Sequence, residues 1–201
     1  MKKCIILLVC LVFCSIQAQK SKPNFERVYV EAGFVQPLST MSDKFEVAPS
    51  FGFWFRSRAT TKDFVDFGFN FFIPKEAPNV NFKYQDSILS YKSKHFAINI
   101  GARFAKVVPL SLESDDFNFE WNSGIGLALN VYKAPDEIEF GDNEYSGEVL
   151  TTLFLSQGIK VNYKNVGLQC HYQWSPYGLF SKNLEKDYGS QSLMFGIVYR
   201  Q

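Results

Sequence analysis

Three of the four cysteines in this 201-residue chain fall within its first 14 residues, which leaves Cys170 alone in the remainder. A single thiol closes no internal disulfide, so the body of the protein holds together without covalent staples. Histidine is as scarce: His95 and His171 are the only two. Neither has a cysteine or carboxylate at metal-ligand spacing, which excludes a recognisable metal motif. No cofactor-binding motif is present either. Charge of one sign is also lacking, with 21 Lys and Arg against 20 Asp and Glu. That balance offers no basic face for a phosphate backbone, so nucleic acid is not an expected partner. No apolar run approaches the roughly 20 residues of a spanning helix, and no stretch keeps a helical period.

The N-terminus is a short, positively charged apolar segment. Lys2 and Lys3 precede the run from Ile5 to Phe13, and Ser15-Ile16-Gln17-Ala18 ends in a small residue. This order matches a secretory signal peptide over 1–18, cleaved after Ala18. Lipid attachment at Cys10 or Cys14 would need a small residue just before the cysteine; Val9 and Phe13 stand there instead. Export removes Lys2 and Lys3, leaving 19 bases against 20 acids. A short segment, 19–26, then precedes one domain spanning 27–201.

Phenylalanine is abundant, at 21 residues, and it recurs with period two. Eight stretches alternate in this way, as half-buried strands do. One parity carries Val28, Val30 and Phe34; Phe51, Phe53 and Phe55; Phe67, Phe69 and Phe71; Ile98 and Ile100. It continues with Trp121, Leu127 and Leu129; Leu153, Leu155 and Tyr163; Leu168, Tyr172 and Trp174; and Phe195, Ile197 and Tyr199. The other parity carries the strand charges Glu31, Arg56, Asp66, Arg103, Glu120, Lys160 and Arg200, with every glycine inside a strand.

An eight-stranded barrel has an interior just wide enough for side chains to fill. The small, polar, glycine-rich parity fits that interior, and the bulky parity does not. The expected fold is therefore an all-β, up-and-down antiparallel barrel of eight strands, apolar outside, crossing an outer membrane. Its lipid-facing residues are Phe53, Phe67, Phe69, Phe71, Ile98, Ile100, Leu127, Leu129, Phe195 and Ile197. Trp121, Tyr163, Trp174 and Tyr199 suit the headgroup level. Loop lengths follow the same logic: joins 36–50, 74–95, 132–152 and 175–192 are long, and joins 59–62 and 164–165 are short. The join 105–118 is longer than an inner turn should be.

With its leader, its eight alternating segments and its last strand Leu193-Met194-Phe195-Gly196-Ile197-Val198-Tyr199, the chain resembles the small outer-membrane β-barrels of Bacteroidetes type, including the PorT-like group. More distantly it resembles the OmpA transmembrane domain. The resemblance covers about Arg27 to Gln201. It implies a Gram-negative outer-membrane location, contact with membrane lipid and insertion by the barrel-assembly machinery through the last strand. It departs from the pattern in placing Arg200 and Gln201 after the aromatic Tyr199, and it carries no catalytic motif.

The inward charges are the main candidate for function. Arg56 and Asp66 lie across one turn, Arg103 and Glu120 flank another, and Glu31 and Arg200 lie on the two strands that close the barrel. Opposite charges there can pair and occlude the lumen, which favours a structural or interaction role through the outer loops over a porin-like channel. An enzyme acting on lipid would need a rim site; His95 beside Ser93, with Ser90 and Asp86, is the candidate. The segment 134–148 holds Asp136, Glu137, Glu139, Asp142, Glu144 and Glu148 without a base, a pattern of a solvated acidic loop. Trp174, Tyr177, Phe180 and Tyr188 in and beside the last long join suit either adhesive contacts with an envelope partner or anchors at the headgroup level, which Trp and Tyr favour.

Overall fold

A computed structural model of the chain describes residues 25–43, 45–73, 77–84, 87–93, 96–110, 116–133, 147–181, 184 and 189–201. The leader 1–18, all but the last two residues of 19–26, the acidic segment 134–146, His95, Asp86 and Tyr188 lie outside the described residues.

Ten strands account for most of the described chain: β1 Phe25–Leu38, β2 Ala48–Arg58, β3 Asp63–Phe72, β4 Ala77–Tyr84, β5 Ser87–Ser93, β6 Phe96–Pro109, β7 Phe117–Lys133, β8 Gly147–Tyr163, β9 Val166–Trp174 and β10 Gln191–Arg200. Eight of them close into an antiparallel barrel in the order β1-β10-β9-β8-β7-β6-β3-β2. The remaining two, β4 and β5, form a separate two-stranded sheet. The fold class read from alternation is thus the fold observed, with one correction. The join 74–95 is not a plain loop, because it carries the β4–β5 hairpin. The hairpin packs through Phe82, which is fully buried, and bridges Leu184 of the β9–β10 connection.

The two ends of the barrel differ. One end carries the short turns at 59–62 and 164–165 and the ends of β6 and β7 at Pro109 and Phe117, together with the start of β1 and the end of β10. The join after β6 shrinks because β6 continues to Pro109 and β7 begins at Phe117, so the length that disagreed with an inner turn was strand. The other end carries the long connections, a 3-10 turn at Ser39–Met41 and a short helix at Tyr177–Phe180.

Shortest of the barrel strands is β9, with nine residues, which spans about 30 Å at roughly 3.4 Å per residue before tilt is taken into account. The burial pattern along it alternates residue by residue, because successive side chains point to opposite faces. The same alternation runs through β2 and β10. The outward parity is an apolar belt: Phe67, Ile100, Leu127, Leu168, Phe195 and Ile197 are all about half exposed or more. Outward charges sit at strand ends, where Asp63 of β3 lies opposite Lys106 of β6. No helix among the described residues is long and apolar enough to cross a membrane.

Large inward side chains fit where glycine faces them. A Cβ added at Gly101 or Gly126 would lie 3.0 Å or 2.7 Å from the ring of Phe154. Gly189 has a different task. Its φ of +88° is in the left-handed region, and a Cβ there would meet the Met41 backbone at 2.4 Å. That close approach joins the β1–β2 and β9–β10 connections over the barrel mouth.

Candidate functional site: a chain of ion pairs across the lumen

Six inward charges from six strands meet inside the barrel. Arg56 of β2 is the hub. Its Nε and Nη2 donate to the two carboxylate oxygens of Asp66 on β3, at 2.6 and 2.7 Å. Its Nη1 and Nη2 donate to Glu120 of β7, at 2.8 and 2.7 Å. Glu120 also faces Lys160 of β8 at 3.8 Å. Lys160 Nζ donates to Glu31 of β1 at 3.0 Å. Glu31 accepts from Arg103 Nη1 of β6 through both oxygens, at 2.8 and 3.0 Å. The result is one path, Asp66–Arg56–Glu120–Lys160–Glu31–Arg103, with three acids and three bases.

All six side chains are buried, with Glu120, Asp66 and Lys160 fully so. Buried charges survive only when paired and hydrogen-bonded, since desolvation costs several kcal/mol per ion. The bidentate Arg56–Asp66 bond, whose partners face each other in register across β2 and β3, meets that demand with the planar fork of guanidinium. Two rings add to it: the Arg56 guanidinium lies 4.5 Å from the Tyr29 ring centroid, and that of Arg103 lies 3.7 Å from Trp54. Such contacts are stronger where water is excluded.

The structure brings together six of the seven charges singled out from the sequence. Arg200 stands apart from the path and donates to the Lys164 carbonyl at the short-turn rim. The partner choice also differs from what turn proximity suggests. Arg103 pairs with Glu31 and not with Glu120, because in the β6–β7 register Arg103 lies opposite Gly124 while Glu120 lies opposite Val107. Four residues of offset put them on different levels of the lumen. Arg200 is opposite Tyr29, two positions from Glu31.

Polar amides continue the filling toward the long-loop end. Trp54 Nε1 donates to Asn70 at 2.9 Å, Asn99 to Gln173 at 3.0 Å, and Gln173 to Ser175 at 2.9 Å. His171 is buried beside them, and the described residues contain no cluster of three or more potential metal ligands. Beyond the amides the chemistry turns apolar. Met41, Phe45, Phe82, Ala128, Tyr132, Leu150, Phe154, Tyr177 and Leu184 form one buried cluster. It is contributed partly by barrel strands and partly by the connections above them. Phe82 meets Tyr132 edge to face, with ring centroids 5.4 Å apart. Sequence reasoning missed this cap. The alternation Val80-Asn81-Phe82-Lys83-Tyr84 was its available signal.

Ser90 and Ser93 fall on strand β5, while His95 and Asp86 lie outside the described residues. Of the four outward aromatics, Trp121, Tyr163 and Tyr199 lie toward the short-turn end, and Trp174 closes β9 at the long-loop end. All four are exposed.

No family model matches this chain, and no curated protein matches it by sequence. Among solved structures it is similar to the N-terminal β-barrel domain of Pseudomonas aeruginosa OprF, at 11% identity and a TM-score of 0.49, covering 87% of this chain and 97% of that one. It is also similar to Ail, the attachment invasion locus protein of Yersinia pestis, at 15% identity and a TM-score of 0.44, covering 87% and 95%. Ail in complex with the heparin analogue sucrose octasulfate aligns at 13% identity and a TM-score of 0.45, with the same coverage.

Proposed function

We propose that the chain is an integral outer-membrane barrel with an occluded lumen, whose folded long-loop end faces outward and serves a structural or partner-binding role. One observation carries this reading: the barrel is inverted, with its charges buried along the axis and its Phe, Leu and Ile side chains exposed around the circumference. A continuous apolar exterior is stable in lipid and costly in water. The short-turn end then faces the periplasm, as short inner turns and longer outer loops require. Export through a cleaved 1–18 signal and insertion by the barrel-assembly machinery belong to the same reading. So does the resemblance to Bacteroidetes PorT-like barrels, which rests on the leader, the eight alternating segments and the last strand.

Two measurements test it. Leu127→Arg places a charge in the middle of the belt. In a bilayer it should cost about 2–4 kcal/mol of folding free energy; on a water-exposed surface the same change would be nearly neutral. A neutral result in lipid, or full solubility of the leaderless chain without detergent, overturns the membrane reading. Planar-bilayer recordings should show no conductance steps, since the ion-pair path and the apolar cap both fill the lumen. Steady channel openings would sink the occlusion. Crosslinking from intact envelopes, with the long-loop residues Leu179 and Phe180 as probe positions, would identify a partner.

A further inference from the structure

The outward side of β7, β8 and β9 carries a row of polar groups within the apolar belt. Ser123 of β7 lies opposite Gln157 of β8, and Gln157 lies opposite Tyr172 of β9. All three side chains are exposed. Their outward neighbours are apolar and about half exposed: Trp121 and Ile125 flank Ser123, and Leu155 and Ile159 flank Gln157. We propose that this row is the centre of a contact between two copies of the chain, side by side in the membrane. The inference rests on the outer-membrane reading above.

Depth is the first observation. Gln157 stands six residues along β8 from Tyr163 at the short-turn end, a rise of about 15 Å for a strand tilted by roughly 40°. That height is near the middle of an apolar band about 25 Å tall, too deep for the side chain to reach headgroups. At this level β8 is paired on both sides, so its backbone groups are spent in the ladders. A carboxamide facing hydrocarbon is unfavourable, and a hydrogen bond to another protein surface relieves it. The second observation is self-complementarity. A carboxamide both donates and accepts. Two copies inserted in the same direction are related by a two-fold axis along the membrane normal, which keeps every residue at its own depth. Gln157 then meets the second copy's Gln157, and each Nε2 donates to the other's Oε1. The same axis sets β7 of one copy against β9 of the other, so the Ser123 and Tyr172 hydroxyls flank the amide pair. Ser123 is also the smallest outward side chain of β7 and leaves a notch beside Gln157 for close approach. The half-exposed side chains of three strands supply area on the scale of the roughly 800 Å² that each partner gives to a stable interface. On the opposite wall of the barrel, Phe51, Phe53, Phe69, Phe71 and Phe96 meet one another within one copy and place no polar group in the belt.

The test is sedimentation equilibrium of the full chain folded in a non-ionic detergent, with folding into lipid vesicles followed in parallel by circular dichroism. A reversible monomer–dimer equilibrium is expected. Gln157→Leu should weaken it about tenfold, through two lost bonds of roughly threefold each in an apolar medium, while the variant enters vesicles at least as well as the native chain. Gln157→Asn keeps the carboxamide and should weaken association by no more than about threefold. Ser123→Leu fills the notch and should weaken it about tenfold or more through overpacking. Phe69→Leu, on the opposite wall, should leave association unchanged. A chain that enters vesicles yet stays monomeric up to about 0.1 mM overturns the second copy as occupant, in favour of a different membrane partner. A dimer indifferent to both Gln157→Leu and Ser123→Leu overturns this face as the contact. Either result leaves the outer-membrane reading standing. A chain that stays out of vesicles and dissolves without detergent overturns both.

Discussion

The two halves of the lumen are filled by different chemistry from different sources. The short-turn half is filled by charges that the barrel strands themselves carry, locked by strand register. The long-loop half is filled by apolar side chains, several of them delivered by connections: Met41 and Phe45 after β1, Phe82 from the hairpin, Tyr177 and Leu184 after β9. The first half cannot form until six strands have paired, and it demands near-complete pairing of its charges. The second half needs only that connections fold down on a finished barrel, so it can open without unfolding the strands. Occlusion at one end is thus tied to global stability, and at the other to local docking.

The largest expected effect breaks the charged half. Arg56→Ala strands Asp66 and Glu120 in the lumen and should lower stability by about 3–5 kcal/mol, read as a shift in the urea midpoint of folding into lipid vesicles. Phe82→Ala attacks the other half. Phe-to-Ala losses in packed sites run to about 3–5 kcal/mol, but here the loss should appear as faster protease cleavage and hydrogen exchange in the hairpin and the β9–β10 connection, with the global midpoint nearly unmoved. If the midpoint falls as far as in Arg56→Ala, the two halves are one cooperative unit.

Replacing Arg56 by Met together with Asp66 by Leu removes a bidentate pair and leaves two acids and two bases. The expected change is within about 2 kcal/mol, well below the single Arg56→Ala loss, because a buried pair replaced by packed apolar groups is close to neutral. A double mutant as unstable as the single one would mean that the path stabilises beyond its desolvation cost. The smallest effect concerns Tyr177 in the cap. Burial pushes its hydroxyl above the usual range, with its hydrogen bond to Asn130 pulling the other way. A raised folded-state value means that the docked connection favours neutral tyrosine. The contribution is complete below the unfolded value of about 10 and is lost as pH rises above it. Exchange in the β9–β10 connection should accelerate above that pH, and Tyr177→Phe should remove the acceleration. An identical pH profile in the variant would show that Tyr177 is not the group responsible.

Much of this comparison was legible in the residues. Parity alone sorted Glu31, Arg56, Asp66, Arg103, Glu120 and Lys160 onto one face, because a strand repeats every two residues wherever it lies. Parity also counted the barrel strands, since each needs only its own alternation to be seen. The hairpin was harder. Its strands are short and lie between polar residues, and an isolated hairpin owes its stability to what it packs on. Phe82 looks like any loop aromatic until Tyr132 and Leu184 are placed beside it.

The sequence by itself determined which side chains point inward and that the inward set is charged, small and polar. Those are local facts, set by the pleat of each strand. Only the tertiary structure decided who pairs with whom. Arg103 reaches Glu31 across the barrel, 72 positions away along the chain, and passes over Glu120, which lies only 17 positions away, because register and closure fix the level of each residue along the axis. Tertiary structure also decided that three acids and three bases join into one path. Which charges meet is settled by closure, because the path draws on six strands that share one lumen only once the barrel is closed.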